Sequence, residues 1–504
     1  MSPGLPFGLP QRLPFGLSFC LCFRGRPLKT LFSRLWGGRA SSTAEATQSK
    51  DLKGGDLAWI DEFWSRAGAY IFSRELDQVL ILPPNRVYRT NETGIQLINL
   101  LKEGHSILEL PFPSEQARDD TARFFGDLAA LYRGDIPVNG TLSSRPYDFA
   151  FTRLPVLAEL AVTYRCNNAC RFCYAGCGIE SYGHVEAEHP EKTTEDYKKI
   201  IDIFADEAQV PFFSFTGGEP SLRRDLEDLI AYAASRRLVT NLVTNGTLIT
   251  EERARSLKAA GLGSVQVSVE GPNAALHDSL VGRKGAFTET LRGIAALQMA
   301  GIPTQTNTTI NRENLPAVPD MPAFLASLGI QRFAMNLFIP TIPGPMADRL
   351  FIPYEEIGPV VDRLMKEARL LGLTFFWYSP TPFCTYNPIA RGQGNKSCAA
   401  LDGLLSVAPD GSVLPCSSWD EPVGNLLAEP FRDIWLGPKS RYFKEKHFAP
   451  EPCKTCTSFL ACQGACPLYW RYTKTCPAGS DSAGPGSEEK QKKAAPQLTE
   501  RSLL

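Results

Sequence analysis

From residue 156 onward, short strand-like runs alternate with amphipathic segments of helical period. The runs are Leu157–Val162, Phe212–Phe215, Val239–Val243, Val265–Val269, Thr304–Ile310 and Phe333–Leu337. Between them, apolar residues recur at three- and four-residue spacing near 194–208, 222–236, 250–260, 286–300 and 315–328. Strands separated by single helices predict a parallel sheet, because a parallel pair needs a crossover to join it. Six such units within 155–360 predict an α/β fold built on a partial (β/α)6 TIM-type barrel. In such folds the chemistry gathers at the carboxyl ends of the strands.

The flanks read differently. Residues 55–140 form a separate unit, with strand-like pieces Val79–Leu82 and Arg86–Arg89 around Pro83-Pro84. Asn91-Glu92-Thr93 caps a helix over Gly94–Lys102, with Gly104 as its stop. Glu115–Tyr132 gives a second helix, apolar at Phe124, Phe125, Leu128 and Leu131. Two strands and a few helices predict a winged-helix-like module. Residues 1–50 hold Arg12, Arg24, Arg26, Lys29, Arg34 and Arg39 and no acid before Glu45. That composition fits an organellar transit peptide or a disordered extension. Residues 477–504, rich in Ser, Gly, Glu, Lys and Ala, predict a disordered tail.

Composition narrows the class. With 53 basic and 54 acidic residues among 504, no global charge argues for nucleic acid or an anionic membrane. No uninterrupted apolar run reaches transmembrane length. The expected location is cytoplasmic, or organellar (mitochondrial) if residues 1–50 are a transit peptide. The 14 cysteines are clustered: Cys166, Cys170, Cys173 and Cys177 form one group. Cys384, Cys398, Cys416, Cys453, Cys456, Cys462, Cys466 and Cys476 form another, and Cys20 and Cys22 stand apart. Such clusters in a long α/β chain point to metal in a reducing compartment rather than to disulfides.

Cys166-x3-Cys170-x2-Cys173 directly follows the first predicted strand, so it sits at the barrel's chemical rim. Three thiolates can hold three irons of a 4Fe–4S cube and leave the fourth open; a zinc knuckle or buried thiols is the bland alternative. The next three strands end in Thr216-Gly217-Gly218-Glu219-Pro220, Thr244-Asn245-Gly246-Thr247 and Ser268-Val269-Glu270-Gly271, which places a polar cluster at the same rim each time. Glycines there let a ligand approach the backbone closely.

These residues and the order of the strands resemble the radical S-adenosylmethionine (SAM) superfamily over roughly residues 155–350. The resemblance implies a 4Fe–4S cluster held by Cys166, Cys170 and Cys173, whose open iron chelates the methionine end of SAM. It implies that Gly217, Gly218, Glu219 and Pro220 form the amino-group motif and that Phe172 packs near the adenine. Thr244, Asn245 and Ser268 become ribose neighbours, and Arg283 a partner for the methionine carboxylate. Glu270 stands where many relatives carry Asp, and Cys177 is read as a non-ligand. The implied chemistry is one-electron cleavage of SAM to a 5′-deoxyadenosyl radical, which removes a hydrogen atom from an inert C–H bond.

Cys398-x12-Gly411-x4-Cys416, Cys453-x2-Cys456-x5-Cys462-x3-Cys466 and Cys476 follow in one register, and structural zinc is the generic alternative to iron–sulfur. The spacing resembles the SPASM domain over 384–476. That resemblance implies one auxiliary 4Fe–4S cluster on Cys384, Cys398, Cys416 and Cys466. It implies a second on Cys453, Cys456, Cys462 and Cys476.

The N-terminal unit resembles a PqqD-like peptide-recognition domain, through the strand pair and the Arg86-Val87-Tyr88-Arg89-Thr90-Asn91-Glu92-Thr93-Gly94 segment. Such a domain takes a leader peptide as an added strand; a packing domain without a ligand is the alternative. The expected substrate is a peptide or protein, with a flavodoxin or ferredoxin as electron donor. A tetrapyrrole side chain is the alternative substrate. Sulfatase maturation is a third choice, because Ser417 stands where an aspartate usually follows the second SPASM cysteine. A silent electron carrier needs no Gly217–Pro220 pocket. No catalytic acid or base is assigned.

Overall fold

The computed structural model describes residues 56–82, 86–142, 153–177, 189–341, 344–394 and 397–474. The segments 1–50 and 477–504, Cys476 and the Pro83-Pro84 turn lie outside the described residues.

The N-terminal unit holds helix α1 (Ala58–Ala67), strands β1 (Phe72–Arg74), β2 (Val79–Leu82) and β3 (Arg86–Arg89), and helices α2 (Glu92–Lys102) and α3 (Glu115–Arg133). The strands form an antiparallel sheet in the order β1-β2-β3. Three strands are present where the sequence predicts two, and α1 is an addition. Asn91 caps α2 by accepting from Gly94 N at 2.8 Å, as expected. Leu80, Leu82, Ile95, Ile98, Phe125 and Leu128 form a core separate from that of the barrel.

A buried ion pair, Arg74–Asp77 at 2.7 Å, anchors this unit. Arg74 also donates to the carbonyls of Leu154 and Pro155, at 3.0 and 2.6 Å, and Arg153 N donates to Asp77 at 2.9 Å. Burial, with Arg237 nearby, lowers the Lys102 ammonium to about 8. Residues 153–155 precede the first barrel strand and Arg237 precedes the third. The unit therefore packs at the amino ends of the strands, opposite the chemical rim.

The six expected strands are β4 (Leu157–Thr163), β5 (Phe212–Gly217), β6 (Val239–Thr244), β7 (Ser264–Ser268), β8 (Thr304–Ile310) and β9 (Arg332–Leu337). The crossovers carry α4 (Thr194–Asp206), α5 (Leu226–Ser235), α6 (Glu251–Ala259), α7 (Ala274–Val281), α8 (Ala286–Met299) and α9 (Met321–Ser327). Beyond the six, helix α10 (Tyr354–Leu370) leads to a seventh parallel strand, β10 (Thr374–Trp377). On the other side, β11 (Leu404–Val407) pairs parallel with β4, followed by antiparallel β12 (Ser412–Leu414) and β13 (Gly424–Asn425). The order β10-β9-β8-β7-β6-β5-β4-β11-β12-β13 has two ends, so the sheet is open.

Side-chain alternation fixes which face is which. Leu160, Val162, Phe213, Phe215, Val265 and Val267 point outward into one core with Tyr197, Ile201, Phe204 and Leu229 of the helices. Of the intervening residues, Glu159, Ser214, Ser264 and Gln266 are polar and half-buried, so they face an open lumen rather than a filled one. Parallel strands covered on both faces read as continuous apolar runs; the alternation here is the signature of the lumen. Among the described residues, no helix is long and apolar enough to cross a membrane.

Candidate active site

After β4 the chain enters the loop that carries Cys166, Cys170 and Cys173, and three neighbours grip its backbone. The first is the glycine turn at the end of β5. Gly218 N donates to Thr163 O at 2.8 Å and Glu219 N to Arg165 O at 2.9 Å. Gly217 lies at φ +127°, and a Cβ there would collide with the carbonyl oxygen of Thr163. A Cβ on Gly218 would lie 2.7 Å from Tyr164 O. The sequence reading explains these glycines by the approach of a ligand. Within the protein, the chain leading to Cys166 is what approaches them.

The second grip comes from the end of β6. Asn245 Nδ2 donates to Asn167 Oδ1 at 2.8 Å, and Asn167 Nδ2 donates to Thr247 Oγ1 at 2.9 Å. The third is the end of α7. Ala169 N donates to Val281 O at 2.9 Å and Arg171 N to Leu280 O at 3.0 Å. Gly282, at φ +69°, has no room for a Cβ against Ala169. Arg283 Nε donates to Asn168 Oδ1 at 2.8 Å, and the same guanidinium pairs with Glu289 at 2.6 Å. The residues between the cysteines carry the anchoring, which leaves the thiols for another task.

Glu219 is fully buried and closes this frame. Its Oε1 accepts from Ser221 N at 3.0 Å, Ser221 Oγ at 2.5 Å and Thr244 Oγ1 at 2.7 Å, and its Oε2 accepts from Asn245 N at 2.7 Å. Gly217, Gly218, Glu219, Thr244 and Asn245 thus belong to one network with the cysteine loop. Arg283 joins it through Asn168. Phe172 and Ser268 are half-buried at the same rim, and Pro220 is buried at the start of the turn after β5. Asn167, Asn168 and Gly282 are anchors the sequence reading does not name. The two asparagines stand inside the Cys166–Cys170 interval, which was the signal available.

Burial governs the thiols. It raises Cys166 to about 11 and pushes Cys170 up strongly, with Cys173, Cys166 and Glu270 adding to the effect at Cys170. A hydrogen bond from the Cys177 thiol lowers Cys173 to about 7, and its donor is correspondingly raised. The protein alone disfavours thiolates at two of the three positions, so a cationic iron centre is what would hold them ionised. Cys177, buried against Tyr164, Ala408 and Leu414, acts here as the donor to Cys173. Glu270 is buried, raised to about 8 by desolvation, and accepts from Thr309 N at 2.9 Å.

In the second group, Cys398, Cys416 and Cys466 converge. Burial raises all three, and Cys398 and Cys466 add their charge at Cys416. Behind Cys398, the buried Lys446 ammonium donates to Cys398 O and to Asp402, both at 2.8 Å. Cys462 is buried, and its Sγ accepts from Phe383 N at 3.4 Å, next to the exposed Cys384. Cys453 is half-buried and Cys456 exposed. Among the described residues, no group of three or more His, Cys, Asp or Glu side chains is set to hold a single metal ion. A multi-iron cube spreads its thiolates over several corners.

The two groups meet at β4. Its Glu159 faces Ser406 across the β4–β11 pair. Glu159 Oε1 accepts from Ser406 Oγ at 2.7 Å and from Ser417 N at 3.1 Å, the residue after Cys416. Desolvation raises this half-buried carboxyl, while the bonds from Ser406 and Ser417 act the other way. Along the lumen face, polar residues of neighbouring strands pair in rungs. Asn241 Nδ2 donates to Ser214 Oγ at 3.2 Å, and Ser264 Oγ donates to Asn241 Oδ1 at 2.8 Å. Gln305 Nε2 donates to Gln266 Oε1 at 3.0 Å, and Asn307 Nδ2 to Asn336 Oδ1 at 2.8 Å.

Comparison with known proteins agrees with this geometry. Residues 160–324 match the sequence model of the radical SAM superfamily, and residues 398–457 that of the SPASM iron–sulfur cluster-binding domain. The AdoMet-dependent heme synthase of Nitratidesulfovibrio vulgaris is 32% identical over 60% of this chain and 85% of its own. The PqqA peptide cyclase of Granulibacter bethesdensis is 28% identical over 60% of this chain and 79% of its own. The crystal structure of Streptococcus suis SuiB bound to its precursor peptide SuiA superposes with a TM-score of 0.57 at 15% identity. It covers 81% of this chain and 96% of SuiB, a likeness of fold. The chain therefore belongs to the radical SAM superfamily: it is an enzyme with a SPASM domain, and its cofactors are SAM and 4Fe–4S clusters.

Proposed function

We propose that this enzyme modifies a peptide or protein, with Cys166, Cys170 and Cys173 holding the SAM-binding cluster. The observation that carries the site is the three-sided grip on the 166–173 loop, which fixes its backbone through groups other than the three thiols. Bound there, a reduced cluster and SAM would supply one-electron chemistry able to remove a hydrogen atom from an inert C–H bond. Gly217 and Gly218 seat the loop against β5. Glu219 braces the ends of β5 and β6, so that Thr244 and Asn245 stand beside the SAM position, with Ser268 and Phe172 completing the rim. Arg283 acts through Asn168, and its contact with SAM is secondary to that anchoring. Cys398, Cys416 and Cys466, with Cys384, hold one auxiliary cluster. Cys453, Cys456, Cys462 and Cys476 hold the other. A flavodoxin or ferredoxin supplies the electron.

The peptide reading rests on the N-terminal unit, whose three-stranded antiparallel sheet has open edges at β1 and β3. A leader segment adds there as a further strand, as in a PqqD-like domain. The identity to the heme synthase favours a second reading, a small tetrapyrrole substrate. Anaerobic reconstitution with iron counting and assay of deoxyadenosine tests the site. Mass spectrometry of candidate peptides and of iron–coproporphyrin, each incubated with reduced enzyme and SAM, decides between the substrates. A mass loss or crosslink on a peptide supports the first; conversion of the porphyrin alone overturns it.

A further inference from the structure

Several carboxylates in this protein are met by a cation, while the buried Asp127, Glu219 and Glu270 are held by hydroxyl and amide donors alone. Asp77 pairs with Arg74 at 2.7 Å, Asp402 with Lys446 at 2.8 Å, Asp225 with Arg223 at 2.6 Å and Glu313 with Arg171 at 2.9 Å. Glu159 belongs to the second set. It lies on the inner face of β4 with a serine hydroxyl and a backbone amide as partners, and no ion pair among the described residues. Unlike Glu270, which is 2% exposed, it is partly open toward the lumen.

Much of that face carries hydroxyls and amides, such as Ser214, Asn241, Gln266, Gln305 and Asn336, interspersed with Ala161, Val243 and Ala334. Among the described lumen-facing strand positions, the single cation is Arg332, at the exposed amino end of β9. The rim arginines Arg165, Arg171 and Arg283 are each engaged by a glutamate. A macrocycle fringed with carboxylates would meet a carboxylate here and no matching cation. A peptide would meet amide groups suited to its backbone and one negative charge.

We propose that Glu159 is a specificity-determining residue that receives the protonated amine or guanidinium of a basic residue in the peptide substrate. This rests on the peptide reading above and adds the chemistry of the residue that enters the lumen. A desolvated carboxylate gains most from a cation that arrives with the ligand, because the lumen screens the pair less than water does. Its neighbour Ser417 follows Cys416, so the basic group is held between the two cysteine groups.

The test uses the full-length, anaerobically reconstituted enzyme with SAM, titrated calorimetrically. The probes are capped short peptides that differ only in a central Lys, Arg, norleucine or Glu, together with coproporphyrin III. The Lys and Arg peptides are expected to bind about tenfold or more tighter than the norleucine peptide, with the Glu peptide weakest. In Glu159→Gln that preference collapses; in Glu159→Asp part of it remains. Thermal unfolding and iron content of each variant establish that it is folded, and the wild-type ranking stands without any variant. Equal binding of Lys and norleucine peptides, or a preference that survives Glu159→Gln, overturns the role of Glu159 and leaves the peptide reading intact. Tight binding of coproporphyrin with no binding of any peptide overturns the peptide reading itself.

Discussion

The α-carbon of Gly217 stands so close to Thr163 that a methyl group on it would overlap the Thr163 carbonyl oxygen. Thr163 ends the strand that leads into the cysteine loop, so this contact sets where Cys166 begins. Gly217→Ala must therefore move the loop or strain a backbone at positive φ, at a cost of roughly 2–4 kcal/mol. The expected outcome is a reconstituted protein with fewer irons per chain and little deoxyadenosine formation, while the iron of the SPASM half is retained. Full iron loading with normal SAM cleavage would contradict it.

Lys446 and Asp402 are both buried behind Cys398. Removing one partner leaves the other charge without compensation, which costs about 3–5 kcal/mol. Lys446→Met is expected to lower the unfolding midpoint and the iron content. Lys446→Met combined with Asp402→Leu is expected to recover much of the stability. Denaturant unfolding of the two single variants and the double variant measures the coupling.

His277 is 1% exposed, and its Nδ1 accepts from Glu270 N at 3.2 Å. Burial lowers its imidazolium to about 4, against an ordinary value of 6.5. Between these values the unfolded chain takes up a proton that the folded chain refuses, so this group's contribution to stability falls as pH drops from 6.5 to 4. The effect is on the order of 2–3 kcal/mol across that window. In His277→Asn, whose side-chain oxygen replaces Nδ1 as acceptor, the loss is expected to disappear. Unfolding of cluster-free protein at pH 6.5 and 4.5, wild type against variant, reads the difference.

The N-terminal sheet and the cysteine loop lie at opposite ends of β4. Seven extended residues span about 23 Å. If a leader docks on the N-terminal sheet, the modified residue must lie at least about seven residues away from the docked segment. Shortening that spacer in a substrate peptide is expected to abolish modification while binding persists. Modification that tolerates a spacer of two or three residues would place the leader elsewhere.

Much of this was legible in the chain. All six strands from Leu157 to Leu337 are legible as strand-like runs, because each is long enough and flanked by helical periodicity, and most are rich in β-branched or aromatic residues. Strand β10, four residues after a Gly372 turn, was too short to stand out, and β11 belongs to a sheet order that only folding reveals. Helix α1 begins at Ala58 after an N-cap leucine, Leu57, and the side chain that meets its first amide is Asp56, one position earlier than a regular cap, so its start carries a weak sequence signal. The cysteines announced themselves by spacing. The groups that position them did not, because Asn167 meets Thr247 and Glu159 meets Ser417 across 80 and 258 residues of chain. Such pairings leave no local pattern.

The central claim is that Cys166, Cys170 and Cys173 hold a cube with one iron open to SAM. The most direct measurement is electron paramagnetic resonance of the reduced enzyme in which Cys384, Cys398, Cys416, Cys453, Cys456, Cys462, Cys466 and Cys476 are replaced by alanine, with and without SAM. The account predicts a single 4Fe–4S signal whose line shape changes on addition of SAM. A signal that SAM leaves unaltered, or a loop that binds zinc after anaerobic reconstitution with iron and sulfide, would contradict it.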